Sequence, residues 1–476
     1  MSDDHSAVDG RAPVDGVAEV WAALGGSPGP PPGPAVTGRA GLPGRLPAQA
    51  LARSCVAVCS LAAAELSALR TGGPVPAVRV DDAAVATAFL GDRLVRVDGR
   101  APTTFAPLSR FWRTADGWVR THANYPHHRA RLLGALRLPS DADPDALAAA
   151  LAGLPAAEVE ETVCAAGGLA VAVRTPEQWA AHPQGAAAAA HPLPALRTAG
   201  AECAPRAVVP APAALPCAGL RVLDLTRVLA GPVATRTLAL LGADVLRLDP
   251  PALPEAQEIH DDTGLGKRSA LLDLARPGDR AVFEKLLASA DVVVTGYRPG
   301  ALDRFGLSPG ELAARRPGLV VGRISAWGRT GPWGGRRGFD SLVQAASGIA
   351  VTEGTGPDMP GALPAQALDH GSGYLLAAGV LRALTDQHRR GGARVVDVSL
   401  AGTAAWLTGG PFRRTPDRTD RPAPDAGFEP EEWLTETDTP RGRLRHALPA
   451  VAYDGGPAGW ASPSGLLGAD PPAWLG

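Results

Sequence analysis

Few side chains of this 476-residue chain stand in settings where they could do chemistry, and most of those settings lie in its second half. Asp369 opens a long Ala/Leu-rich stretch in ALDHGSGY, where an aspartate taken alone reads as a helix cap. Thr226-Arg227-Val228-Leu229-Ala230-Gly231-Pro232 joins an apolar run to a helical one, the place where open α/β folds bind ligands with backbone atoms. Lys267, Arg268 and Arg304 are cations in similar junctions, and each taken singly reads as a solvated charge. Tyr297-Arg298-Pro299-Gly300 has the composition of an ordinary turn after a strand. Several standard chemistries are missing. No GxGxxG follows the first strand and no GxxxxGK[ST] is present, so the dinucleotide and P-loop phosphate cradles are excluded, and neither GxSxG nor HExxH occurs. The five cysteines are scattered without CxxC or Cys/His spacing, which predicts no metal and a reducing compartment.

The elements that must position these residues follow from hydrophobic period. From Gly219 onward, short β-branched runs alternate with helical stretches, which predicts a parallel sheet of βαβ units. Strands are expected at 221–226, 244–249, 269–274, 291–296, 319–325 and near 393–400, with helices at 231–243, 277–289, after Ser308-Pro309, and at 371–387. The expected class is α/β, a Rossmann-like doubly wound sheet accompanied by a smaller α+β domain. Residues 54–89 and 372–407 also repeat one order of parts: an apolar helix, a Gly-Gly turn, a valine-rich strand and an Ala-rich helix. Position 369 of the second copy falls near Ala50 or Leu51 of the first, which therefore lacks a carboxylate there.

Length and composition bound the rest. Two or three domains are expected, and 45% hydrophobic with 20% charged residues supports large buried cores. Glycine (57) and proline (47) concentrate in local stretches, so residues 1–48 are expected to be a tether and 201–218 a linker. Between them, 49–200 reads as a separate N-terminal region. A catalytic core is expected over 219–407, followed at 408–476 by a Pro-rich linker and loosely structured tail. A net charge of −2 supplies no basic field, which argues against nucleic-acid and membrane partners. The acidic start lacks a signal-peptide layout, and a cytoplasmic location is expected.

Five ordered blocks in the second half resemble the class III CoA-transferase family, the group of carnitine-CoA transferases, formyl-CoA transferase and α-methylacyl-CoA racemase. They are LDLTRVLAGPVATRTLALLGADVLRLDPP (223–251), GKRSALLDL (266–274), ADVVVTGYRPGALDRFGL (290–307), SAWGRTGPWGGRRGFDSLVQAASG (325–348) and ALDHGSGYLLAAGVLRAL (367–384). Residues 110–194 resemble the family's smaller domain but stand upstream of the core instead of downstream. The resemblance implies that Asp369 is a nucleophile taking an acyl group from acyl-CoA, and that Gly371 and Gly373 let backbone N–H groups approach the oxyanion. It implies further that Arg227, Val228, Leu229, Ala230, Lys267, Arg268, Tyr297, Arg298 and Arg304 bind CoA, which serves as substrate and not as a tightly held cofactor. The other partner would be a small carboxylic acid, and the quaternary state a homodimer.

Some positions depart from the family pattern. Gly296 precedes Tyr297 where another residue is usual, and the stretch between Pro251 and Gly266 is short. Phe339 stands where the racemases carry a proton-transferring histidine, which favours transfer over thioester enolisation. A non-catalytic CoA-binding protein is the third reading. His370 is expected to point away from the chemistry, and His127-His128 to be surface or small-domain residues.

Overall fold

The computed structural model describes residues 14–26, 33–38, 41–103, 105–200, 203–207, 215–356, 358–414 and 429–475. Seven strands form the central sheet: β1 (Ala195–Ala199), β2 (Arg221–Leu225), β3 (Asp244–Asp249), β4 (Arg268–Leu271), β5 (Val292–Thr295), β6 (Val320–Ser325) and β7 (Ala393–Ser399). Their order is β4-β3-β2-β5-β6-β7-β1, all parallel except β1, which runs antiparallel along β7. Strand order reverses between β2 and β5, so a crevice opens beyond their carboxyl ends. The strands are Val/Leu-rich because helices cover both faces, and Leu223, Val293, Val321 and Val395 are fully or almost fully buried. The α/β class read from the sequence is the class observed.

Five helices frame the crevice and its supports: α1 (Ala48–Thr71), α2 (Ala230–Leu240), α3 (Asp340–Ala346), α4 (Ala367–Arg390) and α5 (Leu400–Gly409). Helices α1 and α4 are both 24 residues long and pack along one another. Small residues allow the close approach: a Cβ on Gly371 would stand 3.3 Å from Cys55 Sγ. Helix α1 is long and apolar enough to cross a membrane by length and composition, yet most of its apolar stretch is buried inside the protein. It ends at Gly72, whose φ of 72° suits the left-handed C-terminal cap.

The repeat is visible in three dimensions. Asp81 caps the helix Asp82–Phe89 by accepting from the Ala83 and Ala84 amides, as Ser399 caps α5 by accepting from Gly402. The strand Val78–Asp81 lies parallel to Ala35–Thr37 and antiparallel to Ala452–Tyr453. This trio repeats the end of the main sheet, where β7 lies parallel to β6 and antiparallel to β1. Each half thereby donates its third strand to the other: β1 comes from the N-terminal half, and Ala452–Tyr453 from the C-terminal end.

Two sequence expectations are corrected. Residues 1–48 are not wholly a tether, because the helix Val17–Ala23 buries Val20 and Trp21. Arg382 of α4 lies 4.7 Å from the Trp21 ring centroid and pairs with Glu65 of α1. Residues 1–13, 27–32 and 39–40 lie outside the described residues. The tail is likewise ordered. Leu434–Thr439 and Gly442–Ala447 form a hairpin that pairs with Arg96–Val97, and the segment after it docks on β4 through Asp470, which accepts from the Ser269 amide at 2.8 Å. The Pro-rich stretch 415–428 lies outside the described residues.

Residues 105–191 build a smaller α+β unit with its own core. Phe111–Arg113, Trp118–Thr121 and Ala170–Ala172 make an antiparallel sheet, against which Leu132, Leu147, Val159 and Val163 are buried. Arg174 joins it to α3 by donating to the Ala345 carbonyl at 3.1 Å, and Gln184 donates to the Trp327 carbonyl at 2.8 Å. The unit sits over the carboxyl edge of the main sheet.

Candidate active site

A cavity of about 580 Å³ opens at the crevice between β2 and β5. Its floor comes from the carboxyl ends of the strands and the residues after them: Leu225, Arg227 and Val228 at β2, Gly296 to Arg298 after β5, and Ile324 to Ala326 at the end of β6. Tyr125, His127, His128 and Arg131 of the smaller unit wall the other side, and Asp369 and Phe339 stand in the lining as well.

Asp369 lies in the first turn of α4 but does not cap it. That role belongs to Asp340 of α3, whose carboxylate accepts from the Leu368 and Asp369 amides, each at 3.0 Å. Asp340 is held further by Gln344 and is fully buried, and burial lifts its carboxyl to about 6. The Asp369 side chain accepts no hydrogen bond among the described residues. Burial first, then the nearby charges of Asp340 and Asp92, hold its carboxyl well above the usual carboxylate range. A carboxylate so poorly solvated is a stronger nucleophile than one in water.

The loop after β2 is fixed from below. Val228 has a φ of 67°, a conformation a β-branched residue rarely adopts. Fully buried Glu255 holds it there, accepting from the Val228 amide at 3.1 Å, from Arg227 at 3.3 Å and from Arg247 at 3.3 Å. The Tyr125 hydroxyl donates to the same carboxylate, so one acid ties the loop to the smaller unit.

Arg227, Val228, Ala230, Tyr297, Arg298 and Arg304 all line the cavity, as does Asp369. Four residues expected at the site lie elsewhere. Gly371 faces Cys55, Leu51 and Thr403, so its missing side chain serves helix packing and its amide is not at the cavity. Leu229 is buried in the apolar core. Lys267 is buried behind the loop, 3.1 Å from Asp224 and 2.9 Å from Thr235 Oγ1. Arg268 pairs with Asp244 at 2.7 Å. The reason is common to the last two: β4 is the edge strand beyond β3, and its start points away from the crevice. Removing one partner of a buried ion pair costs about 3–5 kcal/mol. Lys267→Met is therefore expected to lower the melting temperature sharply, as measured by calorimetry.

His127 and His128 belong to the smaller unit, as expected, and lie on its cavity side. His128 is buried in the cavity wall, and burial, followed by the charge of His127, lowers its imidazole to about 3. His122 stacks on Phe339 with ring centroids 3.7 Å apart and planes 2° apart. In the sequence only the aromatic neighbours in HANYPHHR hint at this, because the contact partners lie some two hundred residues away. His370 points away from the cavity as expected, stacking on Phe89 and meeting Asp92 at 3.3 Å.

The profile of CoA-transferase family III matches residues 217–432. The probable fatty acyl-CoA transferase Rv3272 of Mycobacterium tuberculosis is 34% identical over 227 residues, 44% of this chain and 58% of that protein. The acetyl-CoA:oxalate CoA-transferase of Acetobacter aceti is 36% identical over 205 residues, 40% of this chain and 53% of that protein. The crystal structure of Rv3272 aligns with a TM-score of 0.39 at 36% identity, covering 41% of this chain and 56% of that one. The chain thus spans little more than half the length of these relatives. The matched portion, which holds the parallel strands of the sheet, the strained loop at Val228 and the aspartate of α4, is similar to CoA-transferase family III.

Proposed function

We propose that the protein moves coenzyme A from an acyl-CoA thioester to a carboxylic acid, with Asp369 as covalent nucleophile. The observation that carries this reading is the undonated carboxylate of Asp369 in the lining of a ligand-sized cavity at the switch point of the sheet. The Asp369 carboxylate attacks the thioester carbonyl, the C–S bond breaks, and CoA leaves as thiolate, giving an acyl–aspartyl anhydride. The thiolate then attacks the aspartyl carbonyl, releasing the donor acid and forming an aspartyl-CoA thioester. The acceptor carboxylate attacks that thioester, releases the thiolate, and is itself thioesterified in a final exchange that restores Asp369. Each step exchanges one acyl bond for another without a net proton or electron. Relatives named for acetyl-CoA with oxalate and for fatty acyl-CoA transfer support the reaction class.

Arg227, Val228, Ala230, Tyr297, Arg298 and Arg304 would hold CoA along the floor. The smaller unit would keep water from the anhydride, since hydrolysis competes with transfer. Both walls come from one chain, so the reading needs no second copy, although a homodimer of such chains is compatible with it. Five unpaired cysteines support a reducing cytoplasm as the setting. The test is mass spectrometry of the peptide holding Asp369 during turnover: a CoA or acyl adduct there is expected, and turnover with no adduct overturns the mechanism.

One observation favours a second reading, proton exchange at the thioester α-carbon: the buried Nδ1 of His128 has no hydrogen-bond partner. Under the transferase reading, 2-methylacyl-CoA in deuterated water gains no α-deuterium at a useful rate. Rapid incorporation, lost in His128→Ala, would move the assignment to enolisation chemistry.

A further inference from the structure

The charge around the cavity mouth is unlike that of the whole chain. Net charge is −2, yet Arg131, Arg298, Arg304 and Arg337 line the cavity, and none of the four has a carboxylate partner among the described residues. Asp273 and Asp369 are the lining carboxylates; Asp273 is engaged with Arg276 at 3.7 Å. The neighbouring Arg336 differs, since it lies 4.9 Å from the Trp333 ring and 4.0 Å from Glu160. Arg298 and Arg304 belong to the core. Arg131 is on the helix Pro126–Ala135 of the smaller unit, where its Nη1 donates to the Gly167 carbonyl at 3.2 Å. Arg337 is in the glycine-rich segment before α3. Arg131 and Arg298 are near enough to act on Arg337: partial burial first, then the charges of Arg298 and Arg131, lower it, and both Arg131 and Arg337 act on His127.

Guanidinium groups left unpaired around one opening repel each other, and a multiply charged anion between them removes that cost. We propose that Arg131 and Arg337 close a clamp over the phosphates of CoA, opposite Arg298 and Arg304, so that the N-terminal half is part of the ligand site as well as its cover. The clamp rests on the proposed CoA chemistry of the same cavity. The pantetheine arm would run inward from the clamp toward Asp369, between the loop at Val228 and the Phe339 wall. The recognised chemistry is the phosphate-bearing adenosine end, and a free nucleotide with the same phosphates would be held by the same groups.

The experiment is calorimetric titration of the full chain with CoA, with 3′,5′-ADP and with pantetheine. All four arginines are exposed, so Arg131→Ala and Arg337→Ala should fold normally, as circular dichroism will report. Each variant is expected to bind CoA and 3′,5′-ADP about tenfold more weakly, the size of one charge-assisted contact. Pantetheine binding should not change. Arg131→Lys and Arg337→Lys should recover part of the loss by restoring charge without the bidentate fork. If the double alanine variant binds CoA as tightly as the wild type, the clamp is wrong and the CoA reading stands. Equal weakening for CoA and pantetheine also overturns the clamp, because the loss would not track phosphate. A wild type that binds neither CoA nor 3′,5′-ADP overturns both proposals.

Discussion

Asp369→Asn should leave a well-folded protein with no measurable CoA transfer, a loss of roughly 10⁴-fold or more on the scale set by nucleophile removal in other covalent enzymes. The structure makes this a clean substitution. Asparagine has the same shape, and the α4 start is held by Asp340 and not by the side chain being changed. Stability should even favour the variant. An acid held above its ordinary value in the folded state loses stability as pH rises from the unfolded value through the folded one, since the unfolded chain gives up its proton first. Burial and the charges of Asp340 and Asp92 put Asp369 in that class. At neutral pH the asparagine variant should therefore melt at the wild-type temperature or above it, and the difference should shrink on acidification. Undiminished turnover in this variant would end the covalent assignment, and a large fall in melting temperature would show that the carboxylate is structural.

A fragment comprising 215–476 should aggregate on expression or, if recovered, hydrolyse acyl-CoA with little transfer. Without the N-terminal half, α4 loses α1 along its length, and Leu51, Val58, Leu61 and Leu66 of α1 are almost completely buried in the intact chain. Burying one such side chain is worth about 1.5–3 kcal/mol, so losing these alone is comparable to the whole margin of a typical fold. The fragment also lacks β1 on the edge of the sheet, which leaves β7 unpaired on that side. The cavity would lose Tyr125, His127, His128 and Arg131 and stand open to water. A soluble fragment with full transfer activity would show that the two halves are independent.

The strands of the sheet, its class and the position of Asp369 were legible because each is written locally. Runs such as VVVT have the right length and β-branching, and the family blocks are contiguous. Lys267, Arg268 and Gly371 were misplaced for the opposite reason. Their surroundings are set by Asp224, Asp244 and Cys55, which lie 43, 24 and 316 positions away in the chain, and nothing next to Lys267 says that it is buried. The hairpin at 434–447 did carry a signal, since TETDT and GRLRHA are short runs across a Pro-Arg turn, but the surrounding proline and aspartate masked it. The role of the N-terminal half was half legible. Its repeat with 372–407 showed in the sequence, whereas the packing of α1 on α4 and the closing of the cavity by residues near His128 depend on long-range contacts.

The exchange of third strands between the halves bears on how the chain is made. Val78–Asp81 leaves the ribosome more than three hundred residues before its partner Ala452–Tyr453. Helix α1 waits almost as long for α4. Until α4 is made, the nascent chain carries an apolar 24-residue helix without the helix it packs along in the finished fold, and loop closure over such a span is slow. Translation rate and chaperone supply, more than the stability of the finished fold, should set the yield of this protein. Coexpression with a chaperone that shields exposed helices should raise soluble yield most when translation is fast.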